Sequence, residues 1–322
     1  MRSAPISQGD AAVPLDAPDL WRIDEGEALY PASLTDLAEC PGVAGRPPAT
    51  IWGAGDRDVL TEIDPALAVT IVGSRRPSSY GLEVAESLGA DLAAAGLTVV
   101  SGMAMGIDAA AHRGALGVGG APLAVLAGGP DDPYPPSQRR LHARLLEAGA
   151  AIGERPHGEE PPGPWAFRER NRIMAALSAA TIVVEAAERS GSLITARIAT
   201  ELGRRVCCVP GRVGSTLAGG PNGLIRDGAE LIRGAEDFLD GAIGIGATHA
   251  RQVARPRVEP ELAGLLEIVE AGASTPDAIA AARPGSASEV AVALVRLEIL
   301  GLVRCDSQGR YEASTERGRP RS

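Results

Sequence analysis

Hydrophobic positions in the middle of the chain come in short unbroken runs, not in alternation. LAVTIVG (67–73), LTVVSG (97–102), PLAVLAG (122–128), TIVVE (181–185) and RVCCVP (205–210) are rich in Val and Ile and stop at Gly, Pro or an acid. Such runs mark strands covered on both faces. Between them lie segments of helical patterning at 81–95, 105–117, 137–148, 165–178 and 192–203. Strand–helix–strand repetition at this spacing needs right-handed crossovers and predicts an α/β protein with a doubly wound, mostly parallel sheet. In such sheets ligands sit beyond the carboxyl ends of the strands, so the residues that follow each run are where chemistry is to be sought.

The flanks read differently. Residues 1–23 are a loose Pro/Ala-rich tail, and 24–60 a Pro-punctuated preamble with a short helix near 33–39 that leans on the sheet domain. The core so defined spans 24–240. Residues 241–258 are rich in Gly, Ala and Arg without apolar periodicity and read as a linker. From 259 to 313 the pattern is helix, helix, helix and a short hairpin, with helix starts at Thr275-Pro276-Asp277 and near Ser286 or Ser288, which predicts a small C-terminal winged-helix domain. Residues 314–322 are expected to fray.

Composition narrows the choices. The 322 residues are 45% hydrophobic and 22% charged, as in ordinary globular proteins. No apolar run is long enough to span a membrane, and the first twenty residues lack the apolar stretch of a secretory signal, so a cytoplasmic location is expected. The four cysteines (Cys40, Cys207, Cys208, Cys305) form no metal-binding spacing and no disulfide frame. The formal net charge of −10 argues mildly against a polyanionic partner. Yet all 31 basic residues are arginine. Any phosphate gripped by side-chain charge is therefore gripped by guanidinium forks, and what matters is where they cluster.

After the first strand stands Gly73-Ser74-Arg75-Arg76-Pro77-Ser78, with one glycine where a dinucleotide fingerprint needs three. Ser101-Gly102, not a ribose-binding acid, follows the second strand, and no P-loop is present; no cofactor is expected. Backbone amides, Ser74 and Arg75 ahead of a helix suit a single phosphate. In SGMAMGIDAAAH (101–112), Gly102 and Gly106 permit close backbone approach, while Asp108 and His112 share a helical face. That pair reads as a hydrogen bond pinning the helix, or as a general-base dyad lacking any nucleophile beside it. The loop GGPDDPYP (128–135) carries acids that disfavour a polyanion on that flank. In WAFRERNRIM (165–174), Arg168, Arg170 and Arg172 cluster with Trp165, Phe167 and Asn171 in a chain only 3% aromatic, a combination used to hold single-stranded nucleic acid. Ser190-Gly191-Ser192, opening another helix after Glu185, is a second anion site able to hold a neighbouring phosphate.

Taken together, YPASL, IVGSRRPSSYG, VVSGMAMGIDAAAH, LAGGPDDPYP, FRERNRIMAALS, VVEAAERSGSLITARIA, VPG and GGPNGLIRDGAELI resemble the DNA-processing protein A (DprA/Smf) family in order and spacing. The likeness runs from about Tyr30 to about residue 239, with the tail extending it to about 313. It implies a Rossmann-like core that binds single-stranded DNA and delivers it to the RecA recombinase in natural transformation, as a homodimer and without catalysis. Carried over by position, the DNA contacts are Gly73, Ser74, Arg75, Gly102, Phe167, Arg168, Arg170, Asn171, Arg172, Ser190, Gly191 and Ser192. Asp108, His112 and Glu185 are expected to support the site. Three departures stand out: only about 29 residues precede the Tyr-Pro segment, Gly153-Glu154-Arg155-Pro156 replaces the family's Ser-Glu-x-Pro, and the family's loop lysines are absent.

Between Val258 and Ala313 nine acids (Glu259, Glu261, Glu267, Glu270, Asp277, Glu289, Glu298, Asp306, Glu312) outweigh four arginines (Arg283, Arg296, Arg304, Arg310). A groove-reading helix needs neutralising charge, so this domain reads as a protein-contact module. Two rival readings of the whole chain remain at this point. One is a Rossmann-like nucleotide phosphoribohydrolase using Glu185, whose family loop Pro-Gly-Gly-x-Gly-Thr is missing. The other is a transcriptional regulator reading duplex DNA through its tail.

Overall fold

The structure, a computed structural model, describes residues 19–39, 45–243, 260–270, 274–275, 278–279, 287–299, 303–305 and 310–313. The chain divides into two compact units, 1–253 and 254–322.

The first unit is built on a nine-stranded sheet. Its strands are β1 (Leu20–Asp24), β2 (Thr50–Gly55), β3 (Ala68–Val72), β4 (Thr98–Ser101), β5 (Leu123–Leu126), β6 (Ala150–Gly153), β7 (Ala180–Val183), β8 (Arg205–Cys208) and β9 (Glu230–Leu231). They lie in the order β1-β2-β6-β5-β4-β3-β7-β8-β9. From β6 to β9 every pairing is parallel; β1 and β2 join antiparallel at one edge. Between the strands run α1 (Asp58–Thr61), α2 (Ser79–Ala94), α3 (Ile107–Gly117), α4 (Arg139–Ala148), α5 (Pro164–Ala176), α6 (Ser192–Glu201) and α7 (Gly219–Arg226), and α8 (Ala235–Ile243) follows β9. The doubly wound, mostly parallel α/β architecture is thus the observed one.

The unbroken apolar runs are interior strands because both faces are covered. Every residue of β3, β5 and β7 is buried. One hydrophobic cluster covers one set of their side chains (Val72, Val100, Val125, Val183), and a second covers the other (Val69, Ile71, Val99, Ile182). Thr70, buried in mid-strand, is satisfied by the Met174 carbonyl at 2.9 Å and Ser178 Oγ at 2.8 Å. Helices α2 and α3 touch backbone to backbone at Gly89 and Gly114, where a Cβ would fall on the carbonyls of Ala111 and Glu86.

Two boundaries shift. Residues expected in the loose tail form β1, and the preamble supplies β2, so both belong to the sheet. Trp21 explains the docking: its ring lies over Gly53, and its Nε1–H donates to the Gly55 carbonyl at 2.9 Å. The expected helix near 33–39 is a 3-10 helix, Ala32–Glu39, whose Leu34 and Leu37 enter the core. Residues 1–18 lie outside the described residues. Cys207 and Cys208 are buried free thiols, and burial pushes both up to about 12.

The second unit contains α9 (Pro260–Glu270), α10 (Ala287–Ile299) and an antiparallel hairpin, β10 (Val303–Cys305) with β11 (Tyr311–Ala313). Leu265, Ile279, Leu294 and Leu297 are among its core residues. Thr275 Oγ1 accepts the Ala278 N–H at 3.3 Å, as an N-cap should. Most of the expected middle helix lies outside the described residues, as do the linker from 244 onward and 314–322.

Candidate nucleic-acid interface

After β3 the chain winds outward through β4, β5 and β6, then returns to lay β7 on the other side of β3. The two connections leave this point in opposite directions and open a crevice beyond the ends of β3 and β7. The segments 73–78 and 185–192 meet there.

The first of these segments is tied down strongly. Ser74 N–H donates to the Glu185 carbonyl at 2.6 Å, the Ser74 carbonyl accepts from Ile107 N–H at 3.2 Å, and Ser74 Oγ accepts from Arg76 N–H at 3.1 Å. Gly106, at φ +85°, packs so closely on the Ser74 carbonyl that a side chain would collide with it. Ser78 is the N-cap of α2, accepting the Gly81 N–H at 3.2 Å. The Glu185 carboxylate then takes Ser78 Oγ–H at 2.7 Å and Ser78 N–H at 2.8 Å. A carboxylate of the protein itself, a charge that suits the helix dipole, therefore sits at this helix start beside the loop expected to hold a phosphate. The same contacts leave Glu185, which is buried, little freedom to act as a hydrolytic acid.

What this loop offers outward is Arg75. Its exposed guanidinium lies 5.0 Å from the ring centroid of Phe167, and Phe167 meets Tyr134 at 5.6 Å with rings tilted by 51°. Tyr134 is half exposed. A cation over one aromatic ring beside a second, open ring is a surface for flat, electron-rich groups next to phosphate. The acids expected to repel a polyanion here are occupied: Asp131 accepts Gly158 N–H at 2.8 Å, and Asp132 pairs with Arg139 at 3.2 Å.

The arginine cluster of α5 divides. Arg168 is exposed, whereas Arg170, Asn171 and Arg172 are buried and bonded to protein atoms. Arg170 donates to the carbonyls of Gly102 (2.6 Å) and Val125, clamping the ends of β4 and β5. A Cβ on Gly102 would fall on that guanidinium, so this glycine makes room for an arginine. Burial, opposed by Asp108, lowers Arg170 to about 10, still charged at neutral pH. Arg172 forms a bidentate pair with Glu154, both contacts at 2.6 Å, and also donates to the Arg46 carbonyl at 2.8 Å. Asn171 donates to the Gly191 carbonyl at 3.2 Å, holding the Ser190–Ser192 turn in which the two hydroxyls meet at 2.7 Å.

Asp108 accepts the Gly102 N–H at 3.2 Å and so pins the loop after β4. Burial pushes its carboxyl up, while the Arg170 charge pulls it down. His112 is fully buried, and burial, opposed by a backbone hydrogen bond at Ser101, drives it down to about 3. The pair is not a general-base dyad. Of the residues singled out in the sequence, the structure brings Arg75 and Phe167 together at the surface and turns Arg170, Asn171, Arg172, Asp108 and His112 inward. Tyr134 was missed; its position just beyond a strand end was the available signal. Among the described residues no cluster of metal-ligating side chains occurs, and no helix is long and apolar enough to cross a membrane.

A doubly wound, mostly parallel sheet with a crevice at its switch point defines the Rossmann-like class of α/β protein. Comparison places the chain within that class: residues 22–242 match the model for DNA recombination-mediator protein A, and the chain belongs to that family. It is 38% identical to a DNA processing protein DprA of Mycobacterium tuberculosis over 294 residues, 89% of this chain and 74% of the relative. It is also 38% identical to the protein Smf of Escherichia coli over 226 residues, 70% of this chain and 58% of the relative. Among solved structures, DprA of Streptococcus pneumoniae superposes with a TM-score of 0.62 at 34% identity, covering 70% of this chain and 75% of that one. DprA of Helicobacter pylori, described in terms of its single-stranded DNA binding mode, gives 0.59 at 26% identity over 69% and 94%.

Proposed function

We propose that this protein binds single-stranded DNA across the carboxyl edge of its parallel sheet and serves as a recombination mediator. In this reading it loads the RecA recombinase onto DNA entering during natural transformation, works as a cytoplasmic homodimer and catalyses no reaction. The observation that carries the reading is Arg75 stacked on Phe167 beside the open face of Tyr134, at the switch point where α/β sheets take their ligands. Arg75, Phe167, Arg168 and the Ser190–Ser192 turn touch the strand. Gly73, Ser74, Gly102, Arg170, Asn171 and Arg172 act behind them, shaping the loops. The C-terminal unit, with its acidic balance, contacts protein and does not read duplex DNA.

Fluorescence anisotropy with labelled single-stranded and duplex oligonucleotides, repeated across a salt series, tests this. The wild type binds the single strand in preference, and Arg75→Ala weakens that binding uniformly across sequences while flattening the salt dependence. Unchanged affinity and slope in Arg75→Ala would remove the site assignment.

A further inference from the structure

We infer that Trp165 and Arg155 form a second base-stacking station, on the opposite flank of the α5 start from Arg75–Phe167. The inference rests on the single-stranded DNA reading above and extends its path. Trp165 is 47% exposed, and the Arg155 guanidinium lies 5.4 Å from its ring centroid. The chain thus builds the same unit, an arginine over an aromatic ring, twice within one helical turn. Residues two apart on a helix project about 200° apart, so Trp165 and Phe167 straddle the end of α5 and do not share a face. A strand passing over that end meets one ring on each side.

The geometry is held in advance. Trp165 follows Pro161-Pro162-Gly163-Pro164, a run in which three prolines fix φ. Gly163 sits against the indole so that a Cβ there would lie 3.1 Å from Nε1. Backbone fixed before the ligand arrives lowers the cost of binding it. The first turn of α5 carries no acidic residue, and the exposed Glu169 stands one turn further on from Trp165. A nucleobase is the ligand this chemistry fits: flat, electron-rich and tethered to an anion, it stacks on indole and on guanidinium alike.

The test uses the full-length protein and a series of homothymidine oligonucleotides of increasing length. Short oligonucleotides are expected to occupy only the Arg75–Phe167 station, and longer ones to gain affinity by reaching Trp165. Trp165→Ala should bind the short oligonucleotides like wild type and lose about 5- to 100-fold on the long ones. Trp165→Phe should keep most of that gain, and Arg155→Ala should fall between them. A length profile identical to wild type in Trp165→Ala, with Arg75→Ala still weakening every length, would overturn the second station alone. No effect of Arg75→Ala at any length would take down the underlying reading and this inference with it. A Trp165→Ala variant that changes sedimentation without changing the length profile would mark the indole as a protein contact and overturn the inference as well.

Discussion

Replacing Arg170 by methionine separates a structural arginine from a DNA-contacting one. Arg170 is 6% exposed and donates to the carbonyls of Gly102 and Val125 and to Asn171 Oδ1. Methionine fills comparable volume but takes the guanidinium donors away from both carbonyls. It also removes the larger of the two cationic fields, Arg170 and Arg75, that act on the buried Asp108. Lost charge-assisted hydrogen bonds and a buried carboxylate deprived of its larger counter-charge together predict a loss of about 3–5 kcal/mol. For a unit of this size that lowers Tm by roughly 6–20 °C. The pH dependence is fixed in sign. Burial already raises Asp108, and losing Arg170 raises it further, so the native state holds the proton more tightly than the unfolded chain. The penalty should therefore shrink as pH falls through the raised value and grow towards neutrality. Circular-dichroism melts of wild type and variant at several pH values measure it. A variant that melts with wild type at neutral pH, yet loses single-stranded DNA as Arg75→Ala does, would refute the clamp and return Arg170 to the surface.

Other outcomes follow from the same contacts. Ser78→Ala removes the N-cap of α2 and a donor to Glu185, and should cost about 1 kcal/mol in urea denaturation. Glu154→Ala strands the Arg172 guanidinium and should cost about 1–3 kcal/mol, with Glu154→Asp recovering part of it. His112 is held down to about 3 by burial, so the unfolded chain binds its proton first. Stability should therefore fall as pH drops from about 6.5 towards 3, and His112→Leu should flatten that part of the profile. Deleting residues 254–322 should leave single-stranded DNA affinity within about twofold of wild type if no phosphate contact is lost.

Five of the seven interior strands were legible because burial on both faces demands continuous apolar sequence. Strands β2 and β6 were not. TIWGAG carries two glycines and AAIG has one isoleucine among small residues, so neither has a pattern until a neighbouring strand supplies one. Strand β1 reads as a tail because, at the sheet edge, only Ile23 of its five residues is buried. At the site, the sequence located the arginines but not their directions. Arg168 and Arg172 lie one helical turn apart and should share a face. Glu154 and the Arg46 carbonyl, brought in by distant segments, cover one and not the other. The carboxylate in the α2 cap was hidden for the same reason, since Ser78 and Glu185 are 107 residues apart. Spacing within one helix shows which residue types gather, and tertiary contacts decide which of them meet solvent.

The path of the strand is the central claim, and photocrosslinking measures it directly. A single-stranded oligonucleotide carrying 5-iodouracil, irradiated on the full-length protein and mapped by mass spectrometry, should attach to the peptides holding Tyr134 and Phe167. Crosslinks confined to residues 254–322, or to segments away from the carboxyl edge of the sheet, would contradict the account.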